Sequence, residues 1–121
     1  IQIIAAVGNE GPASLPLYPA AYTETLGITA VDKSNAIYRW ANQGDYVDFA
    51  AFGVSVDAAH PNGKTVRQTG TSMASPRATA LYACFLRTEK ERNAALIKLQ
   101  QLAIDAGTPG RDSVFGFGVL P

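Results

Sequence analysis

The strongest constraint on the fold is an apolar run over residues 1–7, which only Gln2 interrupts. Alternating apolar and polar residues would indicate a strand with one face in water. A continuous run instead indicates a strand covered on both faces, as in a parallel sheet. The run ends at Gly8, and residues 8–12 contain glycines and a proline that predict a loop. Residues 1–7 therefore predict a covered strand of a parallel sheet that opens into a loop.

Three further short apolar segments predict strands, and a turn with the sequence Pro-Asn-Gly follows them at residues 60–64. Strands that precede a buried helix are typical of a layered α/β arrangement. We therefore expect an α/β fold, part of a three-layer arrangement around a parallel sheet. The three strands are predicted at residues 26–31, 46–50 and 54–56.

Two helices are predicted after residue 70. Thr71 or Ser72 can cap the first, and Pro76 falls in its first turn, where a missing N–H costs little. The apolar residues between Ala74 and Phe85 leave almost no polar face, so we expect this central helix to be buried all round. Thr88 begins a capping box for a second, amphipathic helix that extends to about Ile104.

Length and composition fit one folded unit. The chain has 121 residues, of which 47% are hydrophobic and 17% charged, so it can bury a core and is unlike a disordered segment. The sequence starts within a predicted core strand, with no helix or edge strand before Ile1, and it ends directly after Leu120 and Pro121. We therefore expect residues 1–121 to be the C-terminal portion of a larger domain.

Charge and metal-ligand counts exclude several classes of function. Ten Lys and Arg residues balance ten Asp and Glu residues, which argues against a nucleic acid or an anionic membrane as partner. No apolar run is long enough to span a membrane. A zinc site made of cysteine and histidine needs about four ligands, whereas the sequence has one of each, Cys84 and His60. The apolar neighbours of Cys84 predict a buried, unreactive thiol.

The segment most suggestive of chemistry is Gly70-Thr71-Ser72-Met73-Ala74-Ser75-Pro76. Gly70 would let a substrate backbone approach closely. Ser72 stands at the start of the predicted helix, where free N–H groups and the helix dipole favour negative charge. From the residues alone, Ser72 is either a nucleophile or a helix cap. Asn9 leaves a similar choice open, because its amide could donate a hydrogen bond to an oxyanion or serve only in a turn.

Residues 5–11, Ala-Ala-Val-Gly-Asn-Glu-Gly, and residues 70–76 together closely resemble the subtilisin-like serine peptidases. The segments between them occur in that family's order, and a C-terminal signature follows at residues 107–120. The resemblance therefore covers essentially the whole chain. The intervening landmarks are Tyr18-Pro19, residues 28–32 and residues 47–50.

The resemblance implies that Ser72 is the nucleophile that forms an acyl-enzyme with the substrate. It also implies that the Asn9 side chain and the Ser72 backbone N–H form the oxyanion hole. The pocket for the substrate residue before the cut would accept a large apolar or aromatic side chain. The residues implied to bind substrate are Ala5, Ala6, Val7, Gly8, Glu10 and Gly70.

The family's catalytic aspartate and histidine lie before the asparagine segment, so we expect both to be outside this sequence. His60, in a turn between the matched segments, does not replace the histidine. The resemblance thus implies part of a secreted, periplasmic or cell-envelope endopeptidase that cleaves peptides or proteins. Its partner would be the missing N-terminal part of the catalytic domain. The alternative is a non-catalytic module of the same fold that binds a peptide or a partner chain.

The resemblance leaves the metal content open. Members of the family bind calcium, and Asp48 lies near the place where a weak cation site can occur, but one carboxylate makes a poor calcium site. We therefore assign no metal ligand. The sequence also departs from the family pattern around the serine motif, where we expect the changes to affect how the serine helix is seated. The changed positions are Phe52, Arg77 and Ala80.

Overall fold

A parallel three-stranded sheet forms the centre of the computed structural model, which describes residues 1–121. Its strands are β1 (Ile3–Ala6), β2 (Thr25–Val31) and β3 (Phe49–Phe52), in the spatial order β1-β2-β3. Every residue of β2 is buried, as expected for a middle strand. β1 lies at an open edge and is only partly buried, so the complete covering predicted for residues 1–7 is not reached within this chain.

β3 starts at Phe49, later than the sequence predicts. The Asp48 N–H still donates to the Gly27 carbonyl at 2.8 Å, but the bond from the Gly27 N–H goes to the Asp48 side chain, also at 2.8 Å, where a continuing strand would offer a backbone carbonyl. Just before it, the Val47 N–H donates to the Gly44 carbonyl and closes a turn. The apolar character of residues 46–47 therefore marks a packed turn and not a strand.

An antiparallel hairpin of β4 (Val56–Ala59) and β5 (Thr65–Gln68) stands apart from the parallel sheet. The strand predicted at residues 54–56 begins two residues later, as β4, because Ser55 has a positive φ, and the turn predicted at residues 60–64 joins β4 to β5. β5 was not predicted because its sequence, Thr-Val-Arg-Gln, is mostly polar and its residues are mostly exposed. Backbone pairing with β4, which leaves no apolar signature, is what makes it a strand.

Two helices follow the hairpin, α1 (Thr71–Glu89) and α2 (Arg92–Leu102). Pro76 is the sixth residue of α1, so it lies inside the helix and not in its first turn. Thr88 belongs to the last turn of α1, where its hydroxyl donates to the Phe85 carbonyl. The capping box predicted at Thr88 therefore does not form.

α1 is buried along one face only, contrary to the expectation from its sequence. Its buried residues recur every three or four positions and form one stripe against the sheet. Ala80, Ala83 and Cys84 lie outside that stripe and are exposed. The prediction of a buried Cys84 thiol is therefore wrong, since its apolar neighbours in sequence do not turn it towards the sheet. The stripe comprises Thr71, Ala74, Ala78 and Tyr82.

α1 packs on one face of the sheet, and the main core forms between that face and the two helices. α1 contacts all three strands, and α2 packs against α1. Alternate residues of β2 meet the stripe of α1 and Leu99 of α2 in one cluster. Irregular segments that include residues 104–119 cover the opposite face. The fold class is α/β around a parallel sheet, as predicted. Neither helix has the length and apolar character that crossing a bilayer requires.

Candidate active site

The two segments singled out in the sequence meet at the carboxyl edge of the parallel sheet. Asn9 lies in the loop after β1, and Gly53 follows β3. The Gly70 N–H donates to the Gly53 carbonyl at 2.9 Å and ties the start of α1 to this edge. A side chain at Gly53 would prevent that contact, because its Cβ would lie 2.7 Å from the Gly70 carbonyl oxygen. Loops at this edge are where α/β proteins commonly build ligand sites.

The Asn9 side chain caps helix α1. Its Oδ1 accepts hydrogen bonds from the Thr71 N–H at 2.9 Å and from the Thr71 hydroxyl at 3.1 Å. The N-cap position itself is occupied by Gly70, which has no side chain to offer. The expectation that Thr71 or Ser72 caps the helix is therefore wrong, and a residue 62 positions from Thr71 supplies the cap.

These bonds decide which end of the Asn9 amide is free. A backbone N–H can only donate, so the amide atom that faces it must be the oxygen. The Nδ2 group is left without an acceptor in the chain. The Ser72 N–H, in the first turn of α1, also has no acceptor in the chain. Two donors at the start of one helix are thus available to a third partner.

Thr71 links the two loops through its buried hydroxyl. This oxygen accepts from the Gly8 N–H at 3.2 Å and donates to Asn9 Oδ1. Gly70 lies beside the same amide, since a Cβ there would be in van der Waals contact with both polar atoms of Asn9 at 3.4 Å. The sequence indicated Thr71 only as a possible cap, since its partners are 62 and 63 positions away.

Ser72 is exposed at the positive end of α1. Its side chain borders an open groove between β1 and the outer face of α1. Negative charge that forms beside it is favoured by the free N–H groups and the dipole of α1. The residues that line the groove include Ile4, Ala6, Pro76, Thr79, Ala80 and Ala83.

The β1 residues implied to bind substrate divide between the two faces of that strand. Ala6 faces the groove beside Ser72. Val7 is fully buried in a separate small cluster, and Ala5 packs against that cluster. This division follows from the alternation of side chains along a strand. Glu10 lies farther along the loop and is exposed.

His60 lies away from this site. It is exposed in the turn of the hairpin, and its Nδ1 accepts a hydrogen bond from the Asn62 N–H. The opposite end of the hairpin leads to Gly70 and α1. At roughly 3.3 Å per residue, β4 and β5 separate the two ends of the hairpin by about 10 Å. The sequence contains no other histidine.

The departures from the family pattern leave α1 seated on the sheet. Arg77 is exposed, and its Nε donates to the Pro121 carbonyl. Ala80 is exposed as well, and Phe52 is the half-buried last residue of β3. None of the three belongs to the stripe through which α1 packs, so the expected disturbance of the helix is not seen.

Asp48 is one of several residues whose oxygen atoms bind the positively charged side chain of Arg111. Burial raises the pKa of Asp48, and the Gly27 N–H and Arg111 act against that rise. Arg111 Nη2 donates to the Asp48 carboxylate at 3.1 Å and to the carbonyls of Asp45 at 2.6 Å and Val47 at 3.2 Å. The chain has no cluster of three or more acidic, histidine or cysteine side chains. These residues do not fit a calcium ion, because the guanidinium takes the oxygens that the ion would need.

Comparison with known sequences shows what the chain is similar to. The model of the subtilase family matches residues 1–118. The chain is 33% identical over 122 residues to the minor extracellular protease Epr of Bacillus subtilis strain 168. It is 32% identical over 123 residues to subtilisin E of the same strain. Each alignment uses 99% of this chain but only 19% and 32% of the respective relative, so the chain spans less than half the length of the relatives it matches.

Comparison with solved structures gives the same fold. The prenylagaramide maturation protease PagA superposes with a TM-score of 0.82 at 28% identity, over 100% of this chain and 48% of that one. A lanthipeptide protease superposes with a TM-score of 0.85 over 98% of this chain and 47% of its own. Its identity is 21%, so that similarity concerns the fold alone.

Proposed function

The chain belongs to the subtilase family, and on that premise we propose that its residues supply the nucleophile and the oxyanion hole of a serine endopeptidase. The match to the family model confirms the family resemblance found in the sequence. In the proposed reaction, Ser72 attacks the scissile carbonyl and forms an acyl-enzyme. Asn9 Nδ2 and the Ser72 N–H bind the carbonyl oxygen as negative charge develops on it.

One observation carries the proposal: the oxygen of the Asn9 amide caps the helix of Ser72, which leaves the nitrogen free. A turn asparagine commonly bonds to its own loop, whereas this one bonds to a helix start 62 positions away. Because two donors hold Oδ1, the orientation of Nδ2 is set before the substrate binds. Preorganised donors of this kind stabilise a developing oxyanion without a cost of reorientation.

The general base is proposed to come from outside these residues. A serine hydroxyl is a weak nucleophile until a base accepts its proton. His60 sits at the far end of the hairpin and does not serve this purpose. The chain covers only 19% to 44% of the curated relatives, so the family's aspartate and histidine would be supplied by the part that it does not match. We therefore expect the isolated chain to hydrolyse peptide bonds very slowly.

The groove beside Ser72 is the proposed docking surface for that remaining part of the domain. On one side, the outer edge of β1 has unpaired backbone groups, as an edge strand does. On the other side, Ala80 and Ala83 present small apolar surface on α1. Because the same groove contains Ser72, a segment seated there would place a base next to the nucleophile.

Peptides or proteins are the proposed substrates. The residue before the cut would rest against the Ala6 side chain, the backbone of residues 5–8 and Gly70, with Glu10 at the rim. The small side chains of this wall would leave room for a large apolar or aromatic substrate residue. A location outside the cytoplasm, by secretion or in the cell envelope, is proposed from the family, and the relative Epr is described as extracellular.

Labelling with a fluorophosphonate tests the nucleophile. In the complete peptidase domain that contains these residues, the reagent should attach to Ser72 and stop peptide hydrolysis. Ser72→Ala should lower the turnover number by about 10⁶-fold, the magnitude known for subtilisin, and should abolish labelling.

Thr88→Ala is the matched control, since Thr88 lies on the same helix outside the groove and its hydroxyl also donates to a backbone carbonyl, that of Phe85. This variant should keep both labelling and turnover. Labelling that persists in Ser72→Ala would contradict the assignment. Absence of labelling in the unaltered domain, combined with peptide binding, would favour the non-catalytic module instead.

A further inference from the structure

The loop that carries Asn9 is held from behind by a second asparagine, Asn42. The Asn42 N–H donates to the Gly8 carbonyl at 3.1 Å, and the Asn42 Oδ1 accepts from the Glu10 N–H at 2.8 Å. Gly8 and Glu10 are the two residues that flank Asn9. The backbone and the side chain of Asn42 thus bond to the residues immediately before and immediately after Asn9, the proposed oxyanion donor.

Asn42 is fully buried, with 0% of its surface exposed, although asparagine is a polar residue. Its Nδ2 has no partner within hydrogen-bond distance, although it faces the Tyr46 hydroxyl, whose pKa burial raises and the Asn42 amide lowers. A buried donor without a partner destabilises a fold, and an apolar residue of similar size would avoid that cost. The strongest side-chain bond of Asn42 is the one that its Oδ1 accepts from the Glu10 N–H at 2.8 Å, and this bond requires a side-chain acceptor at position 42.

The contact with Asn42 also depends on the backbone of Gly8. Gly8 has a φ of +110°, which favours glycine, and a Cβ there would lie 2.6 Å from Asn42 Nδ2. The loop therefore combines a glycine conformation with close packing on the Asn42 amide. A further bond, from the Gly11 N–H to the Trp40 carbonyl at 2.9 Å, continues the same attachment.

We propose that Asn42 is a positioning residue that fixes the direction of the Asn9 amide by clamping Gly8 and Glu10. The proposal rests on the proposed function, in which Asn9 Nδ2 meets the oxyanion. The bonds from Thr71 hold the Asn9 oxygen, and the bonds from Asn42 hold the Asn9 backbone. With both ends fixed, Nδ2 keeps one place relative to Ser72. A displacement of about 1 Å at such a donor can lower a rate by about 10²-fold.

Replacing Asn42 separates positioning from simple core filling. Asn42→Ala removes the acceptor for the Glu10 N–H, whereas Asn42→Asp has the same shape and keeps an acceptor oxygen. Asn42→Ser, whose hydroxyl is too short to reach Glu10, substitutes for Asn42→Ala if that variant does not fold. Leu99→Ala is the control, because Leu99 is equally buried but lies in the main core and does not touch the loop.

Two measurements then decide the proposal. In the complete peptidase domain, ¹⁵N relaxation of the Asn9 side-chain amide should show greater motion in Asn42→Ala, near-normal order in Asn42→Asp and no change in Leu99→Ala. In the complete peptidase domain, turnover per titrated active site should fall by about 10- to 10²-fold in Asn42→Ala with a nearly unchanged KM. Asn42→Asp should recover most of this loss.

An Asn9 amide that keeps its order in Asn42→Ala would overturn the positioning role. Equal turnover per titrated site in Asn42→Ala and Leu99→Ala would overturn it as well. If the unaltered domain hydrolyses no peptide, the proposed function fails, and the relaxation of the Asn9 amide still decides the role of Asn42 by itself.

Discussion

The two ends of the Asn9 amide serve different purposes at the scale of single residues. Its oxygen provides a hydrogen bond that the start of α1 otherwise lacks, and its nitrogen is left for the substrate. The loss of a helix cap costs about 0.5–2 kcal/mol. A substitution at Asn9 should therefore lower both stability and activity, so its kinetics must be expressed per folded active site.

Asp112 gives the C-terminal turn a dependence on pH. Burial acts to raise the pKa of Asp112, but hydrogen bonds from the Phe115, Val114 and Thr108 N–H groups outweigh it and hold the pKa below its usual 3.8. Because the pKa is lower in the folded chain, this stabilisation is present above about pH 4 and is lost as the pH falls through the folded value. We expect Asp112→Asn to lower the Tm at neutral pH and to make the decline of Tm in acid less steep.

Thermal unfolding between about pH 2 and pH 7 tests this prediction. Asp57→Asn is the control, because Asp57 is an exposed carboxylate whose one ion pair, to Arg67, is 3.4 Å long. That variant should follow the unaltered chain at every pH. A pH profile of Asp112→Asn that is parallel to that of the unaltered chain would show that the turn does not depend on the ionised carboxylate.

The sequence identifies the candidate reactive residues but not the residues that hold them. Ser72 and Asn9 stand in recognisable segments, and these segments meet in the structure. The bond of Asn42 to Glu10 spans 32 positions and that of Thr71 to Asn9 spans 62, and no local pattern encodes such contacts. The exposure of Cys84 is likewise not encoded in its apolar neighbours, because it depends on which face of α1 meets the sheet.

At the scale of elements, the apolar pattern predicts where strands and helices occur better than where they begin. β1, β2 and both helices are found near their predicted places, since each has a strong periodic or continuous apolar signal. The starts of β3, α1 and α2 differ because side-chain bonds from Asp48, Asn9 and Thr88 replace the bonds expected locally. β5 depends on pairing with β4 and has almost no signal of its own.

The attachment of α2 depends on Leu99. Leu99 is 0% exposed in the main core, whereas Ile97 on the same helix is 52% exposed. Leu99→Ala should lower the free energy of unfolding by about 2–5 kcal/mol, because it leaves a cavity as well as losing apolar burial. Ile97→Ala should change it by less than about 0.5 kcal/mol. Urea unfolding measures both, and equal losses would contradict the packing described for α2.

The turn at residues 45–48 is attached to the C-terminal segment by Arg111. We propose that this guanidinium provides the positive charge there in place of a metal ion. The Tm of the chain should therefore be the same with calcium and with a chelator. Arg111→Ala should lower the Tm, whereas Arg67→Ala, at an exposed ion pair, should leave it unchanged. A rise of Tm with calcium that Asp48→Asn abolishes would contradict this proposal.

At the scale of the whole molecule, the open side of β1 governs how the isolated chain behaves in solution. β1 is an edge strand, and Ile1 and Ile3 beside it are exposed. Unpaired edges with apolar side chains recruit other chains. We expect the isolated chain to self-associate as its concentration rises, and the complete domain to do so much less. Light scattering that shows a compact monomer at all concentrations would contradict this expectation.

The central claim is that the free nitrogen of Asn9 stabilises the oxyanion formed when Ser72 attacks. The most direct measurement is the turnover number of Asn9→Ala per titrated active site, in the complete domain. It should fall by about 10² to 10³, or roughly 3–4 kcal/mol, a magnitude that comes from subtilisin itself. KM should hardly change, because the bond strengthens mainly in the transition state. Asn62→Ala, which also removes an Oδ1 bonded to a backbone N–H, should keep full turnover. Full turnover of Asn9→Ala per titrated site, with only a lower Tm, would make Asn9 a helix cap and contradict the claim.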